Sequence, residues 1–308
     1  MKHLIAAAGL PLLLAGCITP LPDLTQSRSP CRMEPGGWCG FVREAAIQSY
    51  AYAMLSSNAY QDEDTYRELP TAFVRREAAD NDDSGLAYSV FDRFEVERGK
   101  RGKLAARVIA FRGTEAGSFD DVFSGSLGDR QREGARSVYA AERAALDADG
   151  KQSVKIEVTG HSLGGALATQ VSIEQPEVRA FVFNTSPFFS GDPMLNDTNR
   201  LSISERGEFL RLLRRYKTAP AAEQVVINCN PSASAASKHS IRALADCLTW
   251  IAAYSETEAL HMISRNPIGK PEVECGDANK VHPGKQSTLL KPGVGPAPCA
   301  HSPKPKAN

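Results

Sequence analysis

The chain has 308 residues, 42% of them hydrophobic, and 36 basic side chains balance 36 acidic ones to a formal net charge of zero. That apolar content supports one large α/β domain or two small ones. The balanced charge gives no bulk electrostatic reason to expect nucleic acid or another polyanion as a partner.

The first segment, "MKHLIAAAGLPLLLAGC", has a basic residue, then an apolar stretch broken by Pro11, then small residues ahead of a cysteine. The stretch is too short to span a bilayer comfortably and has the layout of a secretion signal. Leu14 to Cys17, "LAGC", resembles the lipobox of bacterial lipoproteins. The resemblance implies that residues 1–16 are removed and that the Cys17 thiol carries a diacylglycerol, giving acyl chains that anchor the protein to a membrane. By the same resemblance, Ile18 after the cysteine points to the outer membrane; the alternative is an ordinary secretory signal with an incidental cysteine. Residues 17–40, rich in Pro, Ser and Gly, read as a tether. Six further cysteines remain, and an even number in an exported chain suggests disulfides. Closeness in sequence favours Cys31 with Cys39, Cys229 with Cys247 and Cys275 with Cys299, against free buried thiols. "CRMEPGGWC" is too widely spaced for a zinc knuckle and no Cys/His set completes it, so neither metal nor cofactor is expected.

The segment 41–265 reads as the folded domain. "FVREAAIQSYAYAMLSSNAYQ" has alanine-rich helical spacing over about five turns. A polar stretch containing "REAADNDDSG" precedes two strands, "LAYSVFDRFEV" and "LAARVIAF", with the basic "ERGKRGK" as the hairpin turn. Then come a helix in "DRQREGARSVYAAERAALDADG", the strand "VKIEVTG", a helix from Ser162 to about Glu174, and the strand "VRAFVFN". A strand "RLSISE", a helix "GEFLRLLRRY", a strand "EQVVINC" and a long helix "SIRALADCLTWIAAY" follow. Alternating strands and helices predict a mostly parallel sheet with right-handed crossovers. Residues 266–308 form a Pro-, Gly- and Lys-rich tail with no packed pattern.

"VTGHSLGGALA", Val158 to Ala168, contains a G-x-S-x-G nucleophile elbow around Ser162. A β-branched strand precedes it and a small-residue helix follows, as such an elbow requires; the alternative is a glycine-rich turn with an idle serine. The helix N-terminus supplies N–H groups where negative charge would develop, beginning with Leu163. A second oxyanion donor is expected at the end of an earlier strand. That strand is "VIAFRGTE", and "AFRGT" (Ala110 to Thr114) some fifty residues before "GHSLGG" resembles the class 3 lipases of the α/β-hydrolase fold. The resemblance covers roughly 41–265. It implies an α/β-hydrolase fold, Thr114 as second oxyanion donor, and a lid or substrate rim in the segment after Thr114, where Phe119, Val122 and Phe123 would meet acyl chains or, alternatively, pack inward.

A serine nucleophile needs a base, and in the family's chain order that base is a histidine after Ser162. His282 and His301 lie in the tail and His261 inside an apparent helix. His239, in the loop before the long helix, is the candidate. The acid departs from the pattern, for no aspartate follows "RLSISE" before His239. Glu205, the last residue of that strand, stands where the resemblance places the acid, and glutamate can orient an imidazole as aspartate does. Asp192 is the main alternative, with Asp197, Glu208, Asn228 and Asn230 behind it. The resemblance implies hydrolysis of carboxylic esters of lipids, acylglycerol or phospholipid, through an acyl-enzyme. An acyltransferase, thioesterase or peptidase would use the same residues, and a catalytically silent envelope-binding lipoprotein is favoured only by the missing aspartate.

Overall fold

The computed structural model describes residues 24–25, 38–60, 65–79, 85–113, 126–214 and 220–271. The signal segment with Cys17, Cys31, Thr114, the rim residues Phe119, Val122 and Phe123, and the tail with Cys275, Cys299, His282 and His301 lie outside them.

The strands are β1 (Leu24–Thr25), β2 (Phe73–Ala79), β3 (Tyr88–Glu97), β4 (Lys100–Phe111), β5 (Lys155–His161), β6 (Arg179–Phe183), β7 (Arg200–Glu205) and β8 (Glu223–Ile227). They form one sheet in the order β1-β8-β7-β6-β5-β4-β3-β2. From β4 to β8, and on to β1, neighbours are parallel; β2 and β3 complete the other edge antiparallel. The helices are α1 (Gly40–Asn58), α2 (Ser126–Ala148), α3 (Leu163–Glu174), α4 (Leu210–Arg214), α5 (Ile241–Ala252) and α6 (Thr257–Arg265).

β4 from Val108, β6 from Ala180 and β8 from Val225 are continuous apolar runs because both faces of the sheet are covered. Alternate residues point to opposite faces. Val108, Ala110, Phe181 and Phe183 pack with α1 and α5, whereas Ile109, Phe111, Ala180 and Val182 pack with α2 and α3. The result is the mostly parallel, three-layer α/β arrangement that the alternation of elements predicts, consistent with the α/β-hydrolase fold that the resemblance implies.

Three local expectations are corrected. The basic "ERGKRGK" is not a wide turn: β3 and β4 run through it and reverse at Arg98 and Gly99, both at positive φ (50° and 75°), the geometry of a two-residue hairpin turn. Part of the charged stretch before β3 is itself the edge strand β2, which keeps its arginines by pairing them: Arg75 donates to the Asn58 carbonyl and, at 3.1 Å, to Ser89 Oγ. The helix expected over "GEFLRLLRRY" begins later, at Leu210, because Gly207 turns the chain at φ +84°.

Cys229, just past β8, is bonded to Cys247 in α5, the middle pair of the three expected. Closing a loop of 18 residues' separation stabilises the fold by about 3 kcal/mol in the chain-entropy account. Cys39 is also disulfide-bonded.

Candidate active site

β5 delivers Ser162 at its C-terminal end, and α3 starts at the next residue. Ser162 has φ 57° and ψ −123°, a backbone region that costs a non-glycine residue roughly 1–3 kcal/mol. Its surroundings hold it there: its N–H donates to the Phe183 carbonyl (3.1 Å), and its own carbonyl accepts from Ser186 (2.9 Å) and Ala166 (3.2 Å). The turn is tight enough to need hydrogen in place of a side chain. A Cβ on Gly160 would sit 2.3 Å from the Gly164 carbonyl, and one on Gly164 would sit 2.1 Å from the Phe111 oxygen.

The end of β4 closes on the nucleophile from the other side. A Cβ on Gly113 would lie 3.1 Å from Ser162 Cβ and 2.6 Å from both the His161 oxygen and the Tyr60 hydroxyl. "AFRG" is therefore seated against the elbow, and Thr114 is the next residue in the chain. Leu163 begins α3, so its N–H is among the helix's first four, which have no partner inside the helix.

His239 ends a short 3-10 turn, Ser237–His239, ahead of α5. Its ring lies between those of His161 and Phe209, at centroid distances of 4.6 and 4.4 Å. Nδ1 is 2.9 Å from Oε2 of Glu208. Glu208 is 1% exposed; Oε2 also accepts the Leu210 N–H at 2.9 Å, and Oε1 accepts from the Arg214 guanidinium. Burial by itself would raise the Glu208 carboxyl, but the hydrogen bond with His239, the Arg214 charge and the Leu210 N–H outweigh it and hold the group below its ordinary value. It is an anion aimed at the imidazole. Arg214 is braced in turn by the Thr185 carbonyl and Ser204 Oγ.

The acid beside His239 is thus Glu208 and not Glu205. Glu205 is equally buried, but its carboxylate accepts the backbone N–H groups of Cys229 (2.9 and 3.1 Å) and Asn230 (3.0 Å). Burial pushes its pKa up to about 7, with those two N–H groups and Lys238 pulling against it and Glu208 adding to it. It fastens the start of the loop that carries His239. The reason lies in strand alternation: Glu205 continues the face of Leu201 and Ile203, which α1 and α5 cover. The Arg206–Gly207 turn then brings the next acid round. Asp192 is on the exposed loop after β6, where it accepts the Met194 N–H. Asp197 precedes β7 and so lies at the opposite end of the sheet from Ser162. Asn230 contributes its backbone to Glu205, and Asn228 follows β8 beside Cys229. A glycine two residues past a strand end, followed by an acid and, six residues on, by an arginine, was the available signal for Glu208.

Two further residues close the site. Asn184 Nδ2 donates to the carbonyls of Lys238 (3.1 Å) and His239 (3.3 Å), while its Oδ1 accepts the Glu205 N–H at 2.8 Å. His161 is buried between the Tyr60 hydroxyl, 2.8 Å from Nδ1, and the His239 carbonyl, 2.6 Å from Nε2. Among the described residues no cluster of three or more His, Cys, Asp or Glu side chains could hold a metal ion.

Residues 49–190 match a family model described as phospholipase-like, the Tle-like phospholipase domain. No curated protein sequence matches the chain. Among solved structures, it is similar to lipase II from Rhizopus niveus, at 15% identity over 54% of this chain and 74% of that one, with a TM-score of 0.40. A triacylglycerol lipase from Penicillium expansum shares 14% identity over 60% of this chain and 79% of that one, with a TM-score of 0.41. The phospholipase-like match covers less than half of the chain; with the α/β-hydrolase fold and the Ser162 elbow described above, it indicates an enzyme of the lipase or esterase kind.

Proposed function

We propose that the protein hydrolyses carboxylic ester bonds of membrane lipids, acylglycerol or phospholipid, through an acyl-enzyme on Ser162. The observation that carries this reading is the strained Ser162 elbow, whose neighbour His161 touches the His239 of a buried His239–Glu208 pair. With Nδ1 engaged by Glu208, proton transfer falls to Nε2 of His239. That nitrogen takes the Ser162 proton as Oγ attacks the ester carbonyl and returns it to the leaving alcohol; a water activated by the same nitrogen then releases the fatty acid. Glu208 stays ionised and stabilises the imidazolium. The developing oxyanion is met by the N–H groups of Leu163 and Thr114. The phospholipase-like family match supports a lipid as the acyl donor. Against the silent-lipoprotein alternative stands Glu208, whose carboxylate meets His239 Nδ1 where that alternative takes the acid to be missing.

The "LAGC" motif supports attachment to the cell envelope, at the outer membrane, through a diacylglycerol on Cys17. A Cys17→Ser variant is expected to incorporate no labelled palmitate in cells and to lose its membrane association; labelling equal to wild type would exclude that anchor.

The hydrolysis reading is tested with a fluorophosphonate probe and with mixed phospholipid and acylglycerol vesicles. The wild type is expected to take up the probe and release fatty acid, and Ser162→Ala to do neither. Release undiminished in Ser162→Ala would refute the mechanism.

A further inference from the structure

We infer that His161 is a positioning residue, which locks the main chain of the His239 loop to the residue next to the nucleophile; this rests on the hydrolytic reading above. The His239 carbonyl carries no proton, so Nε2 of His161 must be the donor in their 2.6 Å contact. Burial, first, and then the neighbouring His239 and Arg214 charges hold the His161 pKa well below its ordinary value, so the ring is neutral. Nδ1 is then bare and accepts the Tyr60 hydroxyl at 2.8 Å. The partners fix a single tautomer and a single ring orientation.

One ring thereby ties three segments together. Tyr60 follows the end of α1, His161 closes β5, and His239 stands before α5. Because His161 is joined to Ser162 by a peptide bond, the carbonyl of the base is held at one side chain's remove from the nucleophile. Asn184 donates to the same carbonyl at 3.3 Å from the end of β6, giving two independent donors on one acceptor. The ring of His161 also lies 4.6 Å from that of His239, which limits the swing of the imidazole. Neither nitrogen of His161 is directed to proton transfer: one donates to backbone and the other accepts from a phenol.

The test compares His161→Leu, which removes the donor, with His161→Gln, whose amide nitrogen reaches the place of Nε2. Both are assayed on a soluble short-chain ester well below their melting temperatures. A misplacement of about 1 Å costs on the order of 100-fold in rate, so His161→Leu is expected to lose about 10- to 100-fold in kcat with KM little changed. Probe labelling of Ser162 should slow in proportion, and His161→Gln should recover most of both. A folded His161→Leu protein with wild-type kcat would overturn the inference, and so would equal losses in Leu and Gln, which would assign the effect to packing. If His161→Leu does not fold, Tyr60→Phe removes only the donor to Nδ1, and a kcat unchanged there would overturn it as well. The two readings fail separately: a wild type inert towards esters and probe refutes hydrolysis, and an active wild type indifferent to these substitutions refutes only the positioning role.

Discussion

Glu208→Gln is expected to lower kcat for ester hydrolysis by about 10,000-fold while leaving the fold intact, the scale seen when the acid of a serine triad becomes an amide. The carboxylate is enclosed with Arg214, Leu210 and His239 as its partners. A glutamine there keeps the shape and removes the charge that stabilises the imidazolium; it also allows the wrong tautomer of His239. Glu205→Gln is the informative companion. Among the described residues its carboxylate accepts hydrogen bonds from only the Cys229 and Asn230 amides, so kcat is expected to stay within about tenfold of wild type, as for a group that acts on a loop and not on the reacting atoms. The pH dependence of stability separates the two acids further. A carboxyl raised from 4.5 to about 7 in the folded state contributes stability that is complete below its unfolded pKa and is lost as pH rises through about 7. Glu208, held below its ordinary value, acts in the opposite sense and at lower pH. Melting curves at pH 5 and pH 8 should therefore differ more for the wild type than for Glu205→Gln. Equal kcat losses in the two variants would remove the distinction drawn between them.

Gly164→Ala is expected to destabilise the domain by about 3 kcal/mol or more, at the severe end of overpacking. The added methyl would sit 2.1 Å from the Phe111 oxygen and 2.7 Å from its carbon, and this backbone, at the end of β4 but paired with strands on both sides, cannot step aside. For a domain of this size the loss corresponds to about 6–12 °C in melting temperature. Gly165→Ala faces the Thr185 hydroxyl at 2.6 Å and its Cβ at 2.9 Å, side-chain atoms with no backbone atom under 3 Å, and should cost less. Gly150→Ala meets nothing within 4 Å but sits at φ +69°, so its cost should be about 1–2 kcal/mol of backbone strain. Thermal melts of the three rank crowding against strain; a Gly164→Ala protein as stable as Gly150→Ala would show that the elbow can relax.

The parts of the site that were legible in the sequence are those set by the chain's own local demands. An elbow at Ser162 needs glycine on both sides, a strand before and a helix after, and all four stand together between Val158 and Ala168. His239 could be placed because the loop between a strand and a long helix leaves few positions for a base. The acid could not, because its identity depends on where one strand stops and how its turn reverses: two buried glutamates three residues apart differ in role only through the Gly207 turn. Strand β2 was hidden for a related reason. Its arginines spoil the alternation expected of a strand, and their partners, Asn58 and Ser89 for Arg75 and Asp92 for Arg76, come from elsewhere in the chain. His161 lay within the quoted motif, yet its role is made by Tyr60 and His239, about 100 residues before it and 78 after.

The Cys229–Cys247 bond bears on what proteolytic attack can do. Residues 233–237, between the two cysteines, are all alanine or serine and mostly exposed, the kind of small-residue surface where a protease nicks a folded chain. A cut there separates the polypeptide into two pieces that remain one molecule, with α5 still seated under the sheet and its buried face still covered. What the cut releases is the approach to His239, so activity would be lost while compactness and mass under non-reducing conditions survive. Damage to this protein in a protease-rich setting would be silent in any assay that counts only folded material.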